Sequence, residues 1–127
     1  MSKKKSRFKF KSENTLEERI QIVKDLKKKF GNTGKVPIIC EKDPKSKLEG
    51  DIKSRYMLPK DLYFSEFMYI IREKLNLDSS IAIFLIIDDK YCVIGNDNIE
   101  LVYEKYKEPD GILYLHYSDQ QVFGKNI

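Results

Sequence analysis

The chain has 127 residues, 41% hydrophobic and 35% charged, with a net charge of +4, which describes one soluble, charge-rich domain rather than a disordered or membrane-spanning polypeptide. No apolar run approaches the roughly 20 residues of a membrane helix, and the N-terminal MSKKKSRFKFK has cations without the apolar stretch of a secretory signal. Two cysteines without CxxC spacing, Cys40 and Cys92, and a lone histidine, His116, argue against a disulfide or a His-rich metal centre and for free thiols in the cytoplasm.

Residues 1–13 read as a basic arm carrying two aromatic anchors, Phe8 and Phe10. Residues 1–35 hold 12 Lys/Arg against 4 Asp/Glu (+8), and residues 36–127 hold 12 against 16 (−4). Such an arm suits anionic lipid, an acidic protein surface or nucleic acid, and equally a solvated face. Next, Thr15-Leu-Glu-Glu18 has capping-box spacing. Behind it Leu16, Ile20, Val23, Leu26 and Phe30 recur at helical spacing as a core stripe, and Gly31 ends the helix. Val36-Pro-Ile-Ile-Cys40 reads as a strand, with Pro37 placing it at an edge or bulge. Polar residues 42–54 read as a loop, and Arg55-Tyr-Met-Leu58 as a second strand pairing antiparallel with the first.

Residues 63–75 carry Phe64, Phe67, Met68, Ile71 and Leu75 on one helical stripe. Ile81–Ile87 reads as a central strand buried on both faces. Asp88-Asp89 form a turn, Tyr91–Ile94 a short return strand, Ile99–Tyr106 a short helix, and Ile112–Tyr117 the last strand. The domain thus spans 14–117, and 118–127 form a polar tail. The order ββαβ(α)β behind an N-terminal helix predicts an α+β ubiquitin-like β-grasp: a mixed four-stranded sheet packed on a helix, with an added N-terminal helical segment.

Catalytic signatures are missing. There is no phosphate-binding glycine loop, dinucleotide fingerprint or HExxH, and a Cys–His enzyme would need Cys40 or Cys92 beside His116. The carboxylates fall on helix surfaces and turns such as Asp88, Asp89 and Asp97. The expectation is therefore no enzyme, no metal and no cofactor. Cations interleaved with Phe8 and Phe10 resemble the stacking platforms of single-strand binders, with burial of both rings against the body as the alternative.

Four segments resemble the autophagy ubiquitin-like modifiers, the family of microtubule-associated protein light chain 3 and the GABA-receptor-associated proteins. They are Lys35-Val-Pro-Ile-Ile-Cys-Glu-Lys42, Asp51-Ile-Lys-Ser-Arg-Tyr-Met-Leu-Pro59, Phe67-Met-Tyr-Ile-Ile-Arg72, and Leu113-Tyr-Leu-His-Tyr-Ser-Asp119 followed by Val122-Phe-Gly124. The resemblance implies that a processing cysteine protease cuts after Gly124, with Phe123 as its grip, removing Lys125-Asn126-Ile127. Activating and conjugating enzymes then join Gly124 to phosphatidylethanolamine, so the protein moves from cytoplasm to autophagosomal membrane. It further implies capture, by a monomer, of cargo receptors whose aromatic-x-x-aliphatic motifs add as a strand. Carried over by residue, the first pocket is Leu26, Pro37, Ile39, Met57 and Ile112. The second is Tyr56, Leu58, Pro59, Leu62, Phe67 and Ile70, with Lys53 and Arg55 meeting flanking acidic residues. Departures are Gly31-Asn-Thr-Gly34, longer than the family's turn; Ile112 in place of an aromatic; Tyr63 in place of a capping hydroxyl; and the divergent loop 88–98. A non-conjugated ubiquitin-like adaptor in trafficking or on the cytoskeleton is the alternative, with tubulin as a partner of the arm; no specific nucleic acid is expected.

Overall fold

The computed structural model describes residues 8–31 and 34–120. Helix α1 (Lys9–Glu13) lies where the sequence reads as an arm, and α2 (Leu16–Phe30) follows it. Thr15 Oγ1 accepts the Glu18 amide at 3.1 Å while the Glu18 carboxylate accepts the Thr15 amide at 2.7 Å, satisfying two otherwise orphaned donors. Gly31 closes α2 at φ 64, a conformation that glycine adopts without steric penalty.

Strands β1 (Lys35–Lys42) and β2 (Arg55–Pro59) precede α3 (Phe64–Leu75), and β3 (Phe84–Ile87), β4 (Tyr91–Val93), α4 (Ile99–Tyr106) and β5 (Leu113–Ser118) follow within the described residues. The sheet order is β2-β1-β5-β3-β4. β1 runs antiparallel to β2 and parallel to β5, while β3 is antiparallel to both β5 and β4. The sheet is mixed, as expected, and among the described residues it has five strands rather than four because the short return strand β4 pairs fully with β3. The apolar stretch from Ile81 becomes strand only at Phe84, since the Arg72 guanidinium donates to the carbonyls of Asp78 and Ile81 and holds that segment as a turn. The central place falls to β5, buried along its whole length.

Side-chain alternation along the strands divides the interior in two. On one face Val36, Ile38, Cys40, Tyr56, Leu58, Leu85, Ile87, Leu113, Leu115 and Tyr117 pack with Phe64, Phe67 and Ile71 of α3 and Ile99, Val102 and Tyr103 of α4. On the other, Ile39, Ile112 and Tyr114 meet Phe8, Phe10 and Val23. Within α2 only Val23 is buried and Leu16 is 42% exposed. The core stripe expected for α2 is narrower because the α1 aromatics cover part of the sheet.

A buried carboxylate fastens this second layer. Asp110 receives the Arg19 guanidinium at 3.0 Å, the Tyr114 hydroxyl at 2.5 Å and the Ile112 amide at 2.9 Å. Burial and the bond to Asp110 push the Tyr114 pKa up.

Candidate functional site

Among the described residues β2 has a neighbour on one side only. Lys60 N–H donates to Gly34 at 2.8 Å and Cys40 N–H to Ser54 at 2.9 Å, which marks 34↔60 and 40↔54 as hydrogen-bonded pairs. Antiparallel ladders alternate between bonded and non-bonded pairs, so Val36↔Leu58 and Ile38↔Tyr56 are bonded, while Pro37↔Met57 and Ile39↔Arg55 are not. Two conclusions follow. The backbone N–H and C=O of Arg55 and Met57 point outward from the sheet. And Pro37 lies in an interior strand rather than at an edge, tolerated because its position needs no N–H toward β2 and the β5 ladder begins only at Ile38.

Apolar surfaces flank this open edge on both faces. On the α2 face, Leu26, Pro37, Ile39 and Ile112 converge with Phe10, Ile22, Tyr56 and Arg55 around a cavity of about 10 Å³. Met57 is half-buried beside it, opposite Pro37. Phe10 and Ile22 join this lining beyond the residues that the family likeness supplies; the 22/26 helical spacing is the sequence signal for Ile22, and the aromatic anchor of the arm is that for Phe10, without indicating which surface it covers. On the α3 face, Tyr56, Leu58 and Phe67 are buried in the main core while Pro59, Leu62 and Ile70 remain half-buried. Phe67 is 1% exposed and lies edge-on to Tyr56 at 5.0 Å, in the core beneath this surface. Lys53 and Arg55 are exposed at the rim, with the Lys53 ammonium 5.2 Å from the Tyr56 ring centroid and the Arg55 guanidinium 5.2 Å from that of Phe10.

Other sequence-marked residues separate. Cys40 lies on the α3 face and its thiol is pushed far up by burial, while His116 stacks on Phe8 on the opposite face at 3.9 Å. The two cannot form a nucleophile–base pair. Among the described residues no group of His, Cys, Asp or Glu could hold a metal ion. Phe8 and Phe10, 6% and 5% exposed, anchor α1 and offer no stacking platform to a nucleic acid. Tyr63 makes no side-chain cap, as its type predicts, though the Glu66 carboxylate accepts its amide at 2.8 Å. In the divergent loop, Asp88 and Asp89 take φ 53 and 57, and the Asp97 carboxylate accepts the Tyr91 hydroxyl at 2.7 Å and the Ile94 amide at 2.9 Å. At the chain's other end, Asp119 accepts the Ser46 hydroxyl at 3.3 Å and the Lys47 amide at 3.2 Å. Phe123, Gly124 and Lys125–Ile127 lie outside the described residues.

A parallel β1–β5 contact flanked by antiparallel pairs, with α3 across one face, defines the class: this is a ubiquitin-like protein. Residues 18–124 match the family model described as "Autophagy protein Atg8 ubiquitin like". Autophagy-related protein 8 of Phaeosphaeria nodorum is 34% identical over 121 residues, spanning 95% of this chain and 99% of that protein. The Gibberella zeae protein of the same name is 34% identical over 119 residues, 94% and 98% of the two. A crystal structure of Trypanosoma brucei ATG8 superposes with a TM-score of 0.79 at 28% identity, covering 91% of this chain and 95% of that one. The chain belongs to the Atg8 family of autophagy ubiquitin-like proteins.

Proposed function

We propose that this protein is a modifier of autophagy that is cut after Gly124, joined through that glycine to phosphatidylethanolamine, and used on the membrane to collect receptors carrying aromatic-x-x-aliphatic motifs. The observation that carries the receptor half is the open β2 edge with an apolar surface on each face. In an extended peptide, residues three apart have opposite parity and project to opposite sides. Laid along β2, with main-chain bonds to Arg55 and Met57, such a motif sends its aromatic residue to the α2 face and its aliphatic residue to the α3 face. Lys53 and Arg55 at the rim suit acidic residues beside the motif, an attraction that salt weakens.

The tail half follows from residue type. Glycine has no Cβ, so a chain ending in it threads a narrow enzyme channel and leaves its carbonyl open to attack. Among the described residues no helix is long and apolar enough to cross a membrane, and a covalent lipid would supply the anchorage. The processing protease and the activating and conjugating enzymes are the partners of this step, acting on cytoplasmic protein before it reaches the autophagosomal membrane.

Intact mass spectrometry of the protein from its own cells tests the proposal. Loss of Lys125–Ile127 and addition of a phospholipid mass are expected, and a Gly124→Ala chain is expected to remain unlipidated with an unchanged fold. Lipid attachment to the Gly124→Ala chain would refute the conjugation step, and an intact Lys125–Ile127 end would favour the non-conjugated adaptor.

A further inference from the structure

We propose that Phe10 is an internal occupant of the α2-face pocket, displaced by the aromatic side chain of a bound peptide; this rests on the β2-edge reading above. The cavity among Leu26, Pro37, Ile39, Ile112 and Phe10 is about 10 Å³, whereas a cavity that accepts a benzene-sized guest is on the order of 150 Å³. The groove is open to solvent, and a ring seats at its floor only where a lining side chain gives way; Arg55 covers that floor from the exposed rim, and Phe10 fills it. Ile39 sits on β1 between two paired strands, and the Ile112 amide is tied to Asp110. Leu26 belongs to a 15-residue helix that the Arg19–Asp110 pair fastens.

Phe10 is held differently. It lies on a five-residue helix, too short to persist alone. That helix is attached by a carboxylate clamp, the Glu41 side chain accepting the amides of Lys9 and Phe10 at 2.8 and 3.0 Å, and by the Lys11–Glu108 pair at 2.6 Å. Phe8 has its own seat against His116, an anchor about which α1 can swing. Replacing one ring with another keeps the pocket filled, and the Arg55 guanidinium over Phe10 is placed to cover the incoming ring in turn. The exchange lowers apparent affinity by the fraction of molecules in which Phe10 is out.

The test is fluorescence anisotropy on the full chain, with a labelled peptide bearing a Tyr-x-x-Leu motif and a second in which Tyr is Ala. Phe10→Ala is expected to tighten the tyrosine peptide about tenfold, and Glu41→Ala to tighten it by a smaller factor, with neither gain present for the alanine peptide. Since the chain has no tryptophan, Phe10→Trp supplies a single reporter whose emission is expected to shift red at peptide saturation. Unchanged or weaker binding by Phe10→Ala, or an unmoved Phe10→Trp emission while peptide is bound, overturns the displacement and leaves the edge reading standing. A tyrosine peptide that binds neither the unmodified chain nor any variant overturns both.

Discussion

Replacing Met57 with proline separates edge addition from fold stability. Met57 belongs to a non-hydrogen-bonded pair with Pro37, so its N–H takes no part in the β1–β2 ladder and faces the open side. Proline deletes that donor and puts its ring carbons where an added strand would approach. A main-chain hydrogen bond contributes about 0.5–1.5 kcal/mol net, roughly 2- to 13-fold in affinity, and the ring's obstruction adds to this. Met57→Ala is the control, because it removes the half-buried thioether and keeps the N–H. Calorimetric titration with an aromatic-x-x-aliphatic peptide is expected to show Met57→Pro weaker than Met57→Ala by about tenfold or more. Thermal melts followed by circular dichroism should show both variants folded. Equal affinities in two folded variants would refute addition along β2.

Three further outcomes follow from the interior. Asp110→Ala leaves Arg19, whose side chain is 15% exposed, without its buried partner; an unfolding free energy lower by about 3–5 kcal/mol is expected in urea titrations, and a loss below about 1 kcal/mol would contradict the fastening role. The Tyr56 hydroxyl is buried without a hydrogen-bond partner among the described residues, so Tyr56→Phe should gain about 1 kcal/mol and raise Tm by roughly 4 °C, whereas a fall in Tm would reveal a partner. Burial beside Cys40 pushes the Tyr117 pKa up to about 12, and burial also raises Tyr114, while an unfolded tyrosine loses its proton near 10. Folded pKa values above the unfolded one mean that this contribution is complete below about pH 10 and is lost as pH climbs toward 12. Urea midpoints compared at about pH 8 and about pH 11 should fall, and equal midpoints would refute the assignment.

Local chemistry made much of the fold legible in the sequence. The Thr15–Glu18 box, the Gly31 stop and the helix at Ile99–Tyr106 depend on neighbours within a few residues, and all stand where the spacing puts them. What the sequence hid was set at long range. Arg72 reaches nine residues to take the Ile81 carbonyl and shortens β3. Glu41 clamps α1 from 31 residues away, so a basic arm becomes a helix against the sheet. Pro37 suggested an edge because its missing N–H was visible and its pairing parity was not. For the site, Leu26, Pro37, Ile39 and Ile112 came from family likeness, and the structure brings them together. Phe10 reads in the sequence as an aromatic anchor of the arm, but its place in that lining depends on Glu41 and Arg55, neither near it in sequence.

The position of β5 bears on how the molecule withstands a pull. The strand is bonded to β1 on one side over five residue pairs and to β3 on the other, and the chain leaves it at Ser118 toward the tail. If the tail is the tether to a membrane, tension enters at the middle of the sheet, along the strand axis. Both ladders then share the load and must shear together, whereas a tether from edge strand β4 could peel one pairing at a time.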